Sequence, residues 1–231
     1  MSDQEKFTPR VEKESDLHTL AEQARNPYQA QLLELANEYS EKLRALLPEG
    51  SIVDLGGSLN SNTALRGHND IDLRILLPEE YATEEKIREI SAAINAVVPF
   101  QKIRPVGSPG NEKFAVMHQL EFEKEGIEGG IEIETSVRPA EGYIGFAKFQ
   151  STFPQELLDE YVVFKEQTKN EKKQYKKVKE QFYAMTRWLH SQNYWDEKGS
   201  VVGKPEVLEE AKKMFWGHNL DDIIFKPQPE I

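Results

Sequence analysis

Apolar positions along the chain recur with two periods, and the period predicts the element. Leu32, Leu35, Ala36, Tyr39, Leu43 and Leu46 follow helical spacing. Asn26-Pro27 suits the start of that helix, since Asn caps well and Pro fits the first turn. Pro48-Glu49-Gly50 ends it, and Ser51 to Leu55 reads as a short strand. Between Asp70 and Leu77 the period drops to two. Ile71, Leu73 and Ile75 fall on one face, and Asp70, Asp72 and Arg74 on the other. After Pro78, Thr83 suits the cap of a second amphipathic helix with Ile87, Ile90, Ile94 and Val97 inward. Pro99 closes it, Gln101 to Val106 reads as a strand, and Gly107 to Gly110 as a turn. Phe114, Val116, His118, Leu120 and Phe122 then alternate. Lys124 to Gly130 supplies a hairpin turn, and Ile131 and Ile133 alternate on the return with Glu132 and Glu134 facing outward.

Strand signals stop near Tyr143. Leu157, Leu158, Tyr161 and Phe164 mark a helix after Pro154, and Tyr175, Val178, Phe182, Met185 and Leu189 mark a longer one from Glu171 to His190. A last helix spans Pro205 to Phe215, with Gly217 as its stop. The expected organisation is an arm over residues 1–15, a mixed α+β domain with N-terminal helices over 16–140, and a helical region over 141–231.

Composition narrows the class. At 231 residues with 30% charged and 38% hydrophobic positions, the chain is long enough for a sizeable core and too apolar for wholesale disorder. No apolar run approaches the roughly 20 residues of a membrane span, the N-terminus has no apolar signal-peptide core, and there are no cysteines. A cytoplasmic protein without membrane contact is expected. The net charge of −11 argues against a protein whose main task is gripping long nucleic acid.

Within this frame one stretch carries chemistry. Asp70 and Asp72, two residues apart on a strand, point the same way about 6–7 Å apart at the backbone, a spacing suited to a hard divalent cation. Upstream, Gly56 and Gly57 offer backbone N–H groups, and Ser58 its hydroxyl, at a turn opening a helix, where phosphates bind well. Downstream, Glu132 or Glu134 offers a third acid, as two-metal phosphoryl chemistry requires. Arg74 shares the acids' face and suits either a phosphate or relief of carboxylate repulsion at Asp72. Lysines 169, 172, 173, 176, 177 and 179 cluster on the long C-terminal helix. Most read as solvated surface, with Lys173 and Lys177 as candidate contacts to a triphosphate or an anionic acceptor. His118 reads as a core histidine, and Tyr194-Trp195 as packing at a helix end.

Gly57-Ser58 followed twelve positions later by Asp70-Ile71-Asp72 resembles the signature of the DNA-polymerase-β-like nucleotidyltransferase superfamily. The segment GSLNSNTALRGHNDIDL is especially similar to the motif of archaeal CCA-adding tRNA nucleotidyltransferases, and GIEGGIEIE to that family's strand carrying the third acid. The helical stretch from Phe153 to Tyr183 faintly resembles the end of the GrpB-type proteins. The resemblance covers roughly residues 50–137. It implies a mixed sheet flanked by helices and a Mg²⁺-dependent transfer of a nucleoside monophosphate from an NTP; ATP is taken as the donor on its abundance alone. The acceptor would be a hydroxyl on a small molecule, a protein or RNA. It also implies Asp70, Asp72 and Glu134 as metal ligands, with Glu132 the alternative by the pattern of an acid between two aliphatics. Gly56, Gly57 and Ser58 would hold phosphates. A glutamate stands where the superfamily usually has aspartate. A nucleotide-binding or regulatory module without turnover, and an RNA-modifying transferase, are the other readings.

Overall fold

The computed structural model describes residues 24, 27–98, 100–106, 114–127, 129–141, 143–196 and 198–217. The expected arm over 1–15, the Asn26 cap, Pro99 and the turn at Gly107–Gly110 lie outside these residues. The chain divides into two compact units, with the boundary between Gly145 and Phe146.

The first unit is built on one five-stranded sheet. Its strands are β1 (Ile52–Leu55), β2 (Asp70–Leu77), β3 (Lys102–Val106), β4 (Ala115–Phe122) and β5 (Ile131–Pro139), in the order β1-β2-β5-β4-β3. β2 and β5 run parallel and every other pair antiparallel, so the sheet is mixed. A parallel pair needs a long crossover, and the segment from Pro78 to Gly130 provides it.

Two helices pack against the sheet. In α1 (Pro27–Arg44), Leu32, Leu33, Leu35, Ala36 and Leu43 are buried, with Tyr39 half-buried against the same core. In α3 (Glu84–Val97), Ile87 and Ile94 are buried and Ile90 partly so. The Thr83 hydroxyl caps α3 by accepting the Lys86 N–H at 3.3 Å. Val97 is a correction, since it stands 57% exposed and Val98 is buried in its place. Ten residues beyond Ile87, Val97 has rotated about 80° off the stripe at 3.6 residues per turn.

The alternation on β2 holds. Ile71, Leu73, Ile75 and Leu77 are completely buried in the core with Val53, Leu55, Ile133 and Val137. Each such side chain contributes roughly 1.5–3 kcal/mol. One face of the sheet is thus fixed by helices, which forces Asp70, Asp72 and Arg74 to the other. His118 is a core histidine. It is fully buried, its Nε2 lies 3.1 Å from Ser91 Oγ, and burial pushes its pKa down to about 4.

The second unit is helical. It comprises α4 (Phe146–Gln150), which the sequence pattern did not show, α5 (Gln155–Thr168), α6 (Lys172–Ser191) and α7 (Pro205–Lys212), the last continuing into a π-turn at Lys213–Gly217. Its core is aromatic. Tyr161 stacks on Phe182 with ring centroids 3.8 Å apart, and Trp195 is buried with its Nε1 donating to Thr152 Oγ1 at 2.6 Å. Lys165, passed over in the sequence, is buried with its ammonium 5.3 Å from the Tyr161 ring centre. No described helix is long and apolar enough to cross a membrane.

Candidate active site

The parallel register of β2 and β5 decides which acids meet. Asp70 lies beside Glu132 and Asp72 beside Glu134. Neighbouring strands are about 4.8 Å apart, so four carboxylates share one small patch of the open face. Burial and then Asp72 raise the pKa of Glu134, while Arg74 and Arg104 oppose the shift. Burial and then Asp70 raise that of Glu132, with Lys102 opposing. Glu132 is also held by Gln119, whose Nε2 donates to Glu132 Oε1 at 2.8 Å. Lys102 and Arg104 project onto the same face from edge strand β3, two positions apart. Their alternation was visible in the sequence, but only pairing through β4 brings them toward the acids.

The glycine turn sits directly over Asp72. Gly57 has a φ of +62°, and a Cβ built there would lie 1.8 Å from Asp72 Oδ2. Glycine is therefore required twice, by the left-handed backbone and by the carboxylate against it. Gly57 and Ser58 open α2 (Gly57–Asn60), a four-residue helix. The first N–H groups of a helix have no partner within it, which leaves those of Gly57 and Ser58 as donors. The Gly56 N–H, expected to face phosphate, is already engaged. It donates to the Asp72 carbonyl at 2.8 Å, extending the β1–β2 ladder by one bond.

The segment between turn and strand is anchored at several points. Gln29 Nε2 donates to the Ala64 carbonyl at 2.9 Å, and the Gly67 N–H to the Tyr28 hydroxyl at 3.1 Å. Asn69, a buried side chain, donates from Nδ2 to the Gly130 carbonyl at 2.9 Å, and the Asn69 backbone carbonyl accepts the Glu132 N–H at 3.0 Å. Asn69 thereby ties the entry of β2 to the entry of β5.

Arg74 Nη2 lies 3.9 Å from Asp72 Oδ1, a loose ion pair, and the guanidinium rests against Gly56. Across the β1–β2 ladder from Arg74 stands Asp54, fully buried, which accepts the Tyr143 hydroxyl at 3.2 Å. Burial and then the Asp54 charge push the Tyr143 hydroxyl well above its ordinary pKa. Sequence reading missed Asp54 and Tyr143. Lys173 and Lys177 stand exposed on α6, in the second unit. Tyr194 and Trp195 are buried packing residues.

The donor set suits a hard divalent cation: oxygen ligands only, several carboxylates on one face, and a glycine cradle that a methyl group would fill. The cage is not preformed. Among the described residues no three His, Asp or Glu side chains converge closely enough to hold a metal ion.

No protein-family model matches the chain, and no curated protein matches it in sequence. Solved structures do match. The structure of a GLD-2/RNP-8 complex aligns with a TM-score of 0.50 at 12% identity, over 84% of this chain and 79% of that one. A Cid1 poly(U) polymerase bound to MgATP aligns with a TM-score of 0.46 at 13% identity, over 66% of this chain and 46% of that one. A cytoplasmic RNA terminal U-transferase gives 0.44 at 12% identity, over 66% and 45%. The chain thus spans just under half the length of the poly(U) polymerase it matches. The mixed five-stranded sheet with its flanking helices is the polymerase-β-like nucleotidyltransferase fold.

Proposed function

We propose that this chain is a divalent-metal-dependent nucleotidyltransferase that moves a nucleoside monophosphate from an NTP to a hydroxyl acceptor. The observation carrying the reading is the Asp72–Glu134 register pair beneath the Gly57 turn. Asp70, Asp72 and Glu134 would hold Mg²⁺, which when bound supplies charge neutralisation at the phosphates and a lowered pKa at the attacking hydroxyl. Glu134 is favoured over Glu132 because it faces Asp72 under the turn, whereas Glu132 is engaged by Gln119.

The N–H groups of Gly57 and Ser58 orient the β- and γ-phosphates, leaving the α-phosphorus beside the acids. The acceptor oxygen forms a bond to that phosphorus, the bridging bond to the β-phosphate breaks, and pyrophosphate leaves. Glu134 receives the hydroxyl proton on a carboxylate oxygen, a role suited to a carboxylate whose proton affinity burial, and then Asp72, have raised.

Consumption of labelled NTP, run with each of the four nucleotides and a mixed acceptor pool, tests this. Wild type should turn over at least one nucleotide with Mg²⁺, and Asp70→Asn/Asp72→Asn should lose at least about 10³-fold, the scale of removing a dominant electrostatic term. Turnover unchanged in the double variant would overturn the assignment. The absence of a preformed cage favours a second reading, a nucleotide-binding module without turnover. It predicts binding of Mg-NTP with no consumption under any condition.

A further inference from the structure

Besides Glu132, the acid face holds a second carboxylate that the proposed chemistry does not use. Asp54 is fully buried on β1, with Arg74 as its cross-strand partner and the Tyr143 hydroxyl donating to its Oδ2 at 3.2 Å. Opposite charges in register on adjacent antiparallel strands share a face and lie within reach of one another. Arg74 is therefore bracketed by two carboxylates, Asp54 across the ladder and Asp72 two positions back on its own strand.

Its guanidinium is placed by specific contacts. A Cβ at Gly56 would lie 3.3–3.5 Å from Cζ and both terminal nitrogens, so the group rests against the bare glycine. Nη1 donates to the Leu73 carbonyl at 3.2 Å. Nη2 remains 3.9 Å from Asp72 Oδ1, well beyond the 2.7–2.9 Å typical of a charge-assisted hydrogen bond. A cation so close to a metal ligand is a competitor for it. If the guanidinium closed on Asp72, it would occupy the oxygen that a divalent ion needs.

We infer that Asp54 and Tyr143 are positioning residues that hold Arg74 back from Asp72 and so keep Asp72 open to a divalent cation. The inference rests on the reading of Asp70 and Asp72 as cation ligands. Asp54 supplies the competing charge, and the Tyr143 hydroxyl fixes that buried carboxylate in place. Gly56 supplies the room, because a Cβ there would press on the guanidinium at 3.3 Å from Cζ.

The test is Mn²⁺ binding to the full chain by calorimetry, which needs no substrate and no turnover. Asp54→Asn should weaken Mn²⁺ about tenfold, the equivalent of one modest ion pair. Tyr143→Phe should weaken it by a smaller factor, and as it keeps every charge it serves where Asp54→Asn does not fold. Arg74→Gln should bind at least as tightly as wild type. In Asp54→Asn/Arg74→Gln the loss should vanish, a rescue that a merely structural role for Asp54 would not give. Wild-type affinity in both Asp54→Asn and Tyr143→Phe, or a double variant as weak as Asp54→Asn, would overturn the inference while leaving the metal site standing. Absence of Mn²⁺ binding to wild type would overturn the metal reading and this inference with it.

Discussion

A methyl group at Gly57 would sit 1.8 Å from Asp72 Oδ2, on a backbone already in the left-handed region. Gly57→Ala must therefore move the turn, the carboxylate or both. The expected result is a stability loss of about 1–3 kcal/mol in urea unfolding and a loss of Mn²⁺ binding; a variant that binds Mn²⁺ normally would dissociate the turn from the site. His118 gives a second residue-level expectation. Buried and neutral, it has a folded pKa of about 4 against an ordinary value of 6.5. The unfolded state then binds the extra proton between these values, so stability is full above pH 6.5 and falls as pH drops toward 4. The loss is on the order of 3 kcal/mol by pH 4. Replacing His118 with Gln should flatten the pH dependence of the unfolding midpoint across that window. Asp70, Asp72, Glu132 and Glu134 were legible in the sequence because alternation exposes them against apolar neighbours. Asp54, Asn69 and Lys165 were not, because a lone polar residue in a buried stretch carries no period, and its partners lie 89 and 61 positions away for Asp54 and Asn69.

At the scale of elements, the α3 start and the β4–β5 hairpin followed from local chemistry, a capping threonine and a strict period of two. Thr83→Ala should cost about 1 kcal/mol of stability, read by urea unfolding, with Mn²⁺ affinity unchanged. The parallel pairing of β2 with β5 is different in kind. It joins segments some sixty residues apart in register, and no local pattern announces whether Asp72 will face Glu134 or Glu132. A second pairing, the antiparallel β1–β2 ladder, decides the fate of the Gly56 N–H, which a strand-turn-helix reading assigns to phosphate and the ladder takes instead. Leu73, completely buried between Asp72 and Arg74, couples this framework to the site. Leu73→Ala should destabilise by roughly 2–5 kcal/mol, and a smaller loss would show that the sheet face tolerates repacking there.

For the molecule as a whole, the net charge of −11 has to be reconciled with the phosphate-directed site that we propose. Burial, and then the neighbouring Asp70 and Asp72 charges, raise the proton affinity of Glu132 and Glu134, and a divalent cation is the natural neutralising partner for such a cluster. The same charge predicts weak grip on polyanions. Fluorescence anisotropy with a short single-stranded RNA should give affinities no tighter than the non-specific range of about 10⁻⁴–10⁻⁶ M at physiological salt, falling further with added salt. Nanomolar binding would instead point to a dedicated nucleic-acid surface. We propose the Gly145–Phe146 boundary as a domain boundary, since each unit has a core of its own. The central claim, that the acids of β2 and β5 and the Gly57 turn together receive a metal–nucleotide, is tested most directly by a crystal structure with Mg²⁺ and a non-hydrolysable NTP. The cation is expected on Asp70, Asp72 and Glu134, with the triphosphate against the N–H groups of Gly57 and Ser58. A nucleotide bound elsewhere, or a cation that bypasses Asp70 and Asp72, would contradict it.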